Sequence, residues 1–525
     1  MKRSIVLFTM FLMLALLTSQ CAPAATPTAE TIIKTVEVVK EVVVTQEVEV
    51  VVTEVVEVEK EVEAANEITI LIRMMDMQDA WFRQELIPAF EQQTGAKVNV
   101  VTFDQFPDIE VMLDLENKSG RHTIGVVKTP IEEVYPLVAR EFMMPLTDMA
   151  SAEDLAEYVD EGLEGGQIDG VQYYIPRKLE TNAFFYLPSQ VDDAVANWET
   201  MKDDINAMFA DYNGYGLPAG FTLEADPNEW DWYDLAVVSY YWAHTPGEDG
   251  LTQPRMVHRG KDYGGTLNEL TTKVYQMGGD ADDFLAMDTD PVIDMFEWEA
   301  FYVYNGLYNP AMWEEAWSGG GIWKGFAAGQ VYAAFMHQID AFFLHGGTSP
   351  EMAGYLVDPA DMGTAIMPKG VSLELDADGK PVREGVNGSN FSGWWWGIPA
   401  TSPDPELSYE LIRFITDAEW HLKESSTFGM MPVRNDVYDD LTGAFPEEWM
   451  QGVFNTALAQ FGETVVAYPQ IATFSEIGQN YRNAWYDIVT GGNYAADPSQ
   501  GPDRDYIIQA LQPYIEIMQS LVPSE

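Results

Sequence analysis

The chain has 525 residues, of which 47% are hydrophobic and 12% aromatic, a composition that supports a large packed core and two or three domains. Its 84 acidic residues against 28 basic ones give a formal net charge of −56, which disfavours nucleic acid, anionic lipid surfaces and anionic substrates as partners. A single cysteine excludes a disulfide framework and a cysteine-based metal site.

The chain begins with the pattern of an export signal. Lys2 and Arg3 precede an apolar run from Ile5 to Leu17, which is shorter than the about 20 residues that a transmembrane helix needs. A lone cysteine after this run, Cys21, resembles the lipid-attachment site of bacterial lipoproteins. The sequence therefore predicts a signal peptide over 1–20 and a lipid on Cys21 that anchors the protein to the outer face of the cell membrane. Cleavage within CAPAA and release of a soluble protein is the alternative.

Residues 21–66 carry no globular pattern and are predicted to form a tether after the lipid. APAATPTAE is a small-residue spacer, and residues 35–64 are almost entirely Val, Glu, Lys and Thr. The valine content favours extended structure, whereas valine spacings of three and four residues also suit a coiled coil. In either form the tether separates the body from the membrane, by up to about 150 Å when fully extended.

From Glu67 onward the pattern predicts an α/β domain. EITILIRM reads as a buried strand, DAWFRQELIPAFEQQTG as an amphipathic helix that ends at Gly95, and AKVNVVTF as a second strand. Strand, helix and strand in about 38 residues make a βαβ unit, hence a parallel sheet with helices on its faces. TIGVVKTPIEEVYPLVAREFMMPLTD repeats the strand, loop and helix.

Motifs for cofactor, metal or covalent chemistry are missing from the sequence. There is no phosphate-binding glycine loop, no H-E-x-x-H and no G-x-S-x-G nucleophile elbow. DADGKPV, residues 376–382, lacks the later glutamate of a calcium loop and is interpreted as a hairpin turn. We therefore expect no catalytic residue, no metal and no cofactor.

Five motifs follow one another from residue 67 to the C-terminus. They are ITILI with LIPAFEQQTGAKVNV, GVQYYIPRKLETNAFFYL at 170–187, GFAAGQVYAAFMHQIDAF at 325–342, MGTAIMPKG with GSNFSGWWWGIPA, and STFGMMPVR. In this order they resemble the first βαβ unit, the lobe crossings and the ligand-reaching strand of the extracellular solute-binding proteins of ABC importers, in the branch that includes maltose-binding protein.

The resemblance implies an α/β, two-lobed periplasmic-binding-protein-like fold (type II) with three interlobe crossings and a ligand cleft between the lobes. Lobe I would comprise 67–180 plus 397–431, and lobe II 181–396 plus 432–525. The cleft would lie outside the carboxyl ends of the strands, where open α/β sheets bind ligands. The implied function is that of a non-catalytic receptor whose lobes close on a small-molecule solute, which then passes to the membrane permease of an ABC importer.

The resemblance places SGWWWGIPA at a lobe crossing beside the cleft. Successive side chains of a strand point to opposite faces, so Trp394 and Trp396 are predicted to share one face and Trp395 to point the other way. Indoles stack on the apolar faces of sugar rings and can also hold a cation. We expect one or two of the three to line the cleft, with burial of all three between the lobes as the alternative.

The resemblance also implies polar ligand contacts. Glu180 in PRKLETNAFFY matches a ligand-contacting carboxylate at the first crossing, and a carboxylate accepts two hydroxyl hydrogen bonds at once. His337 and Asp340 follow the strand VYAAFM, whose end reaches the ligand in the family. A solvated hinge position for Glu180 and a structural role for His337 are the alternatives.

The remaining candidate ligand contacts are placed by topology, at strand ends, at the start of a predicted lobe II helix or at the third crossing. They are Asp76, Lys128, Thr129, Trp230, Trp232, Tyr233 and Arg434. Core packing of Trp232 and a purely bridging role of Arg434 are the alternatives.

The aromatic content favours an oligosaccharide as the solute. A polyamine or another cationic solute is the alternative, because an acidic cleft lined by tryptophan can hold an ammonium group. An exported glycoside hydrolase is a second class of function, since paired carboxylates and aromatic platforms serve both.

Overall fold

The computed structural model describes residues 66–247, 250–347, 349, 352–463 and 465–522. They belong to one compact unit that begins at residue 65. The predicted signal peptide, Cys21 and the valine-rich tether lie outside the described residues. Within the described ranges, no helix is both long enough and apolar enough to cross a membrane.

The strands of the described residues form two larger sheets and two short pairs. In chain order they are β1 Glu67–Ile72, β2 Lys97–Thr102, β3 Ile124–Pro130, β4 Gln167–Ile168, β5 Val171–Gln172, β6 Tyr174–Glu180, β7 Asn182–Tyr186, β8 Met256–Val257, β9 Ala333–His337, β10 Gly363–Ala365, β11 Ser389–Asn390, β12 Ser392–Gly397 and β13 Val465–Val466.

The α-helices of the described residues pack around these sheets. They span Asp76–Trp81, Ile87–Thr94, Asp108–Ser119, Ile131–Ala139, Ala152–Leu155, Asp160–Glu164, Pro188–Asn197, Lys202–Asn213, Trp232–His244, Gly264–Gln276, Ala281–Ala286, Asp290–Tyr304, Ala311–Glu314, Gly319–Ala327, Pro405–Ile415, Ala418–Phe428, Asn435–Tyr438, Leu441–Ala444, Glu448–Gly462, Phe474–Ala484 and Arg504–Leu521. π-Helical turns span Phe82–Leu86, Phe342–Gly346 and Trp485–Thr490, and 3₁₀ turns span Trp198–Met201, Pro227–Glu229 and Pro498–Gln500.

The first sheet contains the predicted βαβ unit. Its strand order is β2-β1-β3-β12-β6. β1 pairs in parallel with both β2 and β3, and the helical segment between β1 and β2 ends at Gly95, whose φ of +74° suits a residue without a side chain. β12 enters this sheet antiparallel, between β3 and β6. The predicted strand, helix, strand order is confirmed.

The second sheet has the order β10-β7-β9-β8, with β7 antiparallel to β9 and to β10. An aromatic core packs beside it, in which the Trp232 and Trp298 rings lie 5.5 Å apart and Phe209 stacks on Phe301 at 5.1 Å. Aromatic rings bury large areas and stabilise a core through stacked and edge-on contacts.

The chain passes between the sheets within very few residues. Only Thr181 separates β6 of the first sheet from β7 of the second. On its return, β11 pairs with β13, and β12 then joins the first sheet. The boundary predicted between residues 396 and 397 thus falls inside β12, and the lobe limits remain a prediction.

The turn predicted at 376–382 is confirmed as a hairpin. Leu375 and Pro381 are bridged antiparallel, and the Asp376 side chain accepts hydrogen bonds from the backbone N–H groups of Asp378 and Lys380, both at 2.9 Å. Gly379 supplies the left-handed residue with a φ of +74°.

The helix Ile131–Ala139 begins with two buried acidic residues. A helix N-terminus favours negative charge, but Glu132 and Glu133 are both shielded from water. Burial raises the pKa of Glu132 to about 7. Burial, together with the negative charges of Glu132 and Glu476, raises the pKa of Glu133 to about 8. Near neutral pH this helix start therefore binds protons.

These two carboxyl groups make stability depend on pH. Between pH 4.5 and pH 8 the folded protein holds protons that the unfolded chain has released, so their contribution to the free energy of unfolding falls as the pH rises. In Glu133→Gln we expect the fall between pH 5 and pH 8.5 to be smaller by on the order of 2–5 kcal/mol, at about 1.4 kcal/mol per pKa unit. Denaturant unfolding at several pH values measures this. Glu153→Gln, at an exposed position, is the control, and a difference from the unmodified protein that does not change with pH would contradict the assignment.

Candidate functional site

A cleft of about 800 Å³ lies between the two sheets. On the side of the first sheet, the cleft is lined by the segments at the ends of β1, β2 and β3 and by parts of β6 and β12. On the side of the second sheet, it is lined by the end of β9 and the residues around it. The lining includes Arg73, Asp76, Asp79, Asp104, Phe106, Lys128, Glu132, Lys178, Glu180, Arg259, Tyr263, Ser318, Gly319, Gly320, Trp323, His337, Asp340, Phe343, Ser392 and Trp394.

Backbone geometry makes this cleft polar on both sides. β1, β2 and β3 end at it, so their loops present side chains and backbone groups to the same space. The helices Asp76–Trp81 and Gly319–Ala327 begin at it, one on each side. Because a helix N-terminus carries partial positive charge and free N–H groups, both walls favour hydrogen-bond acceptors on a ligand.

The three consecutive tryptophans are divided by β12. Trp395 points to one face, is fully buried, and donates from Nε1 to the Gly162 carbonyl at 2.7 Å. Trp396 points to the other face and is also fully buried, with its ring 6.2 Å from that of Phe82. Only Trp394 lines the cleft, where 9% of it is exposed. The predicted alternation is confirmed. Of the three candidate ligand contacts, Trp394 borders the cleft, and Trp395 and Trp396 are buried away from it.

Lys128 lies on the cleft side of β3, beside Trp394. It is only 2% exposed, its Nζ donates to the Arg73 carbonyl, and this nitrogen lies 3.7 Å from the centre of the Trp394 ring. Burial, with repulsion from Arg177 and Lys178, lowers the pKa of the Lys128 ammonium well below its usual value. Trp394 therefore already contacts a protein cation on one side of its ring.

Glu180, at the end of β6, is part of a buried charged group on the cleft floor. Lys178 donates a hydrogen bond to Oε1, and Nδ1 of His337 lies 3.9 Å from Oε2. Burial opposes ionisation, but the neighbouring Lys178, His337 and Lys128 together outweigh it and hold the pKa of Glu180 at about 2. Burial lowers the pKa of His337 to about 3, so its ring is neutral at pH 7. Nε2 of His337 has no hydrogen-bond partner among the described residues.

Asp340 organises the wall of the second sheet. Its Oδ2 accepts from Arg259 at 2.7 Å and from the His337 backbone N–H at 3.0 Å, and its Oδ1 accepts from the Trp323 indole at 2.8 Å. Arg259 also donates to Glu269 at 2.7 Å. The Trp323 ring stacks on Phe343 at 3.8 Å. Asp340 thus fixes the orientation of an aromatic ring that borders the cleft.

Several cleft residues escaped prediction from the sequence. Phe106, Tyr263 and Trp323 are half-buried aromatic residues in the lining, and Arg73 and Arg259 supply positive charge. Trp323 precedes the GFAAGQVYAAF motif by two residues, and Phe106 closely follows the second predicted strand, so both lay near recognised signals. Tyr263 and Arg259 lie in no motif. Asp76, Lys128, Glu180, His337, Asp340 and Trp394 are the predicted residues that line the cleft, and their contact with a ligand stays a prediction.

Trp230, Trp232 and Tyr233 lie in the core of the second sheet's layer, which corrects their placement at the cleft. All three are fully buried. Trp230 donates from its indole to the Glu224 carbonyl at 2.8 Å, and the Tyr233 hydroxyl donates to the Leu373 carbonyl at 3.1 Å. The helix Trp232–His244 is covered on nearly every side, so its aromatic residues pack inward.

Thr129 and Arg434 also lie outside the cleft. Thr129 is fully buried opposite Trp395, on the face of the sheet that does not border the cleft. Arg434 forms ion pairs with Glu157 and Asp436, both at 2.9 Å, and donates to the Thr416 carbonyl at 3.1 Å. Its guanidinium is occupied in joining chain segments, so the structure favours the bridging alternative.

No group of three or more His, Cys, Asp or Glu side chains among the described residues is arranged to hold a metal ion. The cleft therefore offers hydrogen bonds, charges and aromatic surface as its means of binding.

Comparison with known proteins identifies the family. The profile of the bacterial extracellular solute-binding protein family matches residues 85–451. A comparison with curated protein sequences finds no significant match.

Solved structures share the fold at low sequence identity. Maltose-bound MalE3 of T. maritima is 16% identical with a TM-score of 0.61, and the match covers 87% of this chain and 100% of that one. An ABC substrate-binding protein from Listeria monocytogenes in complex with cycloalternan is 14% identical with a TM-score of 0.60, over 86% and 98% of the two chains. A solute-binding protein from Thermotoga lettingae bound with α-D-tagatose is 17% identical with a TM-score of 0.60, over 86% and 99%. These matches show the α/β fold of two-lobed sugar-binding proteins.

The division of the tryptophans predicts different costs of truncation. Trp395→Ala removes a fully buried ring and leaves the Gly162 carbonyl without its donor, so we expect the free energy of unfolding to fall by about 3–5 kcal/mol. Trp394→Ala should cost less, because water from the cleft can fill the space that the ring leaves. Denaturant unfolding of both variants measures this, and equal losses would contradict the division.

Proposed function

Because the chain belongs to the bacterial extracellular solute-binding protein family, a family of non-catalytic receptors, we propose that it captures an oligosaccharide in the cleft and delivers it to an ABC importer. The observation that carries the proposal is the composition of the cleft. Half-buried aromatic rings and buried, oriented charged groups approach the same space from both sheets. Sugars need both, because their ring faces are apolar and their hydroxyl groups donate and accept hydrogen bonds.

The proposed platforms for sugar rings are Trp323, Tyr263 and Phe106, with Trp394 at the floor. Trp323 is held by its stack on Phe343 and its hydrogen bond to Asp340, so little conformational entropy is lost when a ligand contacts it. The likeness to structures that contain maltose, cycloalternan and α-D-tagatose supports a carbohydrate ligand.

The mechanism follows from a ligand that contacts both sheets. Such a solute binds better when the lobes are close together, so it shifts the population toward the closed state. We propose that the importer recognises the closed surface. Glu180 stays ionised above pH 2 and accepts hydrogen bonds from the hydroxyl groups of the sugar. Nε2 of His337, which has no partner among the described residues, provides another polar contact.

A cationic solute is less well supported. Glu180 on the floor and Asp340 on the wall of the second sheet are already paired with Lys178 and Arg259. The third buried carboxyl group of the lining, Glu132, has its pKa raised by burial to about 7. The ammonium of Lys128 occupies the ring of Trp394. A polyamine would therefore have to displace cations that the protein itself provides.

Binding of oligosaccharides tests the proposal. We expect a neutral or acidic oligosaccharide to raise the unfolding temperature of the full-length chain by a few degrees, because a ligand at about 100 times its Kd adds about 2.7 kcal/mol to stability. The chain is kept in a detergent without a sugar headgroup, so that the detergent does not compete. Stabilisation by polyamines alone, or by no saccharide, would contradict the proposal.

Trp323→Ala should lose this stabilisation. Trp449→Ala is the matched control, because that half-buried tryptophan packs against His345 and does not line the cleft. An equal loss in both variants would indicate general destabilisation in place of a lost ligand contact.

We also propose that a lipid on Cys21 anchors the protein at the outer face of the cell membrane, with residues 22–66 as the tether. Cys21→Ala should move the protein from the membrane fraction to the medium or the soluble extracytoplasmic fraction. Cell fractionation with mass spectrometry of the N-terminal peptide measures both location and modification. An unmodified Cys21 in the unaltered protein would support cleavage and release.

A further inference from the structure

The cleft is rich in positive charge for a protein of this composition. Four basic residues and six acidic ones line it, a ratio of two to three, against 28 and 84 in the whole chain, a ratio of one to three. The basic residues are Arg73, Lys128, Lys178 and Arg259.

These four cations fall into two classes. Lys178 is paired with Glu180, and Arg259 with Glu269 and Asp340. Lys128 and Arg73 have no carboxylate within ion-pair distance among the described residues. Both donate to backbone carbonyls instead, Lys128 to Arg73 and Arg73 to Asp104 at 3.0 Å. The Lys128 ammonium contacts the Arg73 carbonyl, so the two residues are neighbours on the wall formed by the first sheet.

Lys128 is the unusual member of this pair. An ammonium group has three donors, and burying it is costly unless it is paired and hydrogen-bonded. At 2% exposure Lys128 has one backbone acceptor and the face of Trp394. Lys178, buried on β6 at 6% exposure, has a carboxylate. The cleft therefore holds a desolvated cation whose carboxylate partner is missing from the described residues.

The acidic residues of the cleft do not supply this partner. Glu180 and Asp340 are engaged with the paired cations, and Asp79 pairs with Arg83 at 2.8 Å. Glu132 is buried, forms no ion pair with Lys128 or Arg73, and burial raises its pKa to about 7. Asp76 and Asp104 are exposed at the rim, where water stabilises their charge.

We propose that the solute carries a carboxylate, as a uronic acid residue of an oligosaccharide does, and that Lys128 and Arg73 bind it. This rests on the proposed function and specifies its ligand. Arg73 can bind a carboxylate with two parallel hydrogen bonds, and Lys128 supplies the buried charge. The nearby Asp76 and Asp104 favour a singly charged carboxylate over a doubly charged phosphate.

The net charge of −56 does not exclude such a ligand. Exposed charges are screened beyond about 8–10 Å at 0.1–0.15 M salt, so the groups that line the cleft decide its preference. The composition predicts that the net charge works against an anionic substrate. For this cleft we instead propose that the charges lining it favour a carboxylate.

Protonation of Lys128 adds a second observable. Burial, with repulsion from Arg177 and Lys178, lowers its pKa, whereas attraction by Glu424 and Glu180 raises it. A carboxylate bound beside it shifts this lowered pKa back upward, so binding takes up protons at any pH where the lysine of the free protein is partly deprotonated. The other charged or titratable groups of the lining near this wall are Arg73, Asp76, Asp104 and Glu132, and His337 faces Glu180 from the second sheet.

The test compares trisaccharides that differ only at C6. Galacturonic, glucuronic and mannuronic acid trimers are titrated calorimetrically against galactose, glucose and mannose trimers of the same linkage, with the full-length chain in a detergent without a sugar headgroup. We expect at least one acidic trimer to bind tenfold or more tightly than its neutral counterpart, with proton uptake when buffers of different ionisation enthalpy are compared.

Variants assign the preference to its residues. Lys128→Met should remove the preference for the acidic trimer, and Arg73→Gln, at an exposed side chain that leaves folding intact, should reduce it severalfold. Lys118→Met, at an exposed lysine of the same lobe, is the control and should retain it.

Each result has a distinct meaning. Neutral trimers that bind as tightly as the acidic ones would overturn the carboxylate site and leave the proposed function standing. An acidic preference that both variants retain would also overturn it. Binding of no saccharide at all would overturn the site and the proposed function together.

Discussion

The backbone hydrogen bonds that hold β12 between β3 and β6 bring the cleft floor together from three distant parts of the chain. With partners on both edges the strand has no freedom to turn over, so its side chains alternate strictly between two environments. One face contains Trp394 beside Lys128, and the other contains Trp395 beneath the Gly162 carbonyl. One face of β12 therefore borders the cleft, and the other packs into the core behind it.

An irregularity in β6 sends neighbouring cations to different partners. The register between β6 and β12 shifts after Trp394, so Lys178 lies opposite Trp394 while Pro176 lies opposite Trp395. Arg177, the extra residue, pairs with Glu424 inside the protein, and Lys178 pairs with Glu180 at the cleft. A bulge of this kind reorients a side chain beside a site without ending the sheet. Buried charges are tolerated here because each of these cations has a carboxylate.

The two walls of the cleft are built by different means. On the second sheet, Asp340 accepts from Arg259, Trp323 and the His337 backbone, so this wall is a saturated network that holds its aromatic ring in place. On the first sheet, Lys128 and Arg73 donate to backbone carbonyls and contact the rings of Trp394 and Phe106. One wall is therefore held by a hydrogen-bonded network, and the other holds two cations without a carboxylate partner among the described residues.

The sequence by itself determined the local features. The βαβ unit, the end of its helix at Gly95 and the alternation of the tryptophans follow from periodicity and from one glycine, and these depend only on neighbours in the chain. Which tryptophan of this face meets the cleft was decided by tertiary structure, because Phe82, distant from β12 in sequence, covers Trp396 and leaves Trp394 at the opening. The sequence also did not show that Trp232 is buried. Its burial is due to Trp298 and Tyr302, which belong to another helix. Arg259 and Trp323 formed no sequence pattern, because their role comes from Asp340, a residue distant in sequence. Burial and ion pairing depend on contacts between remote segments, and periodicity carries no information about those.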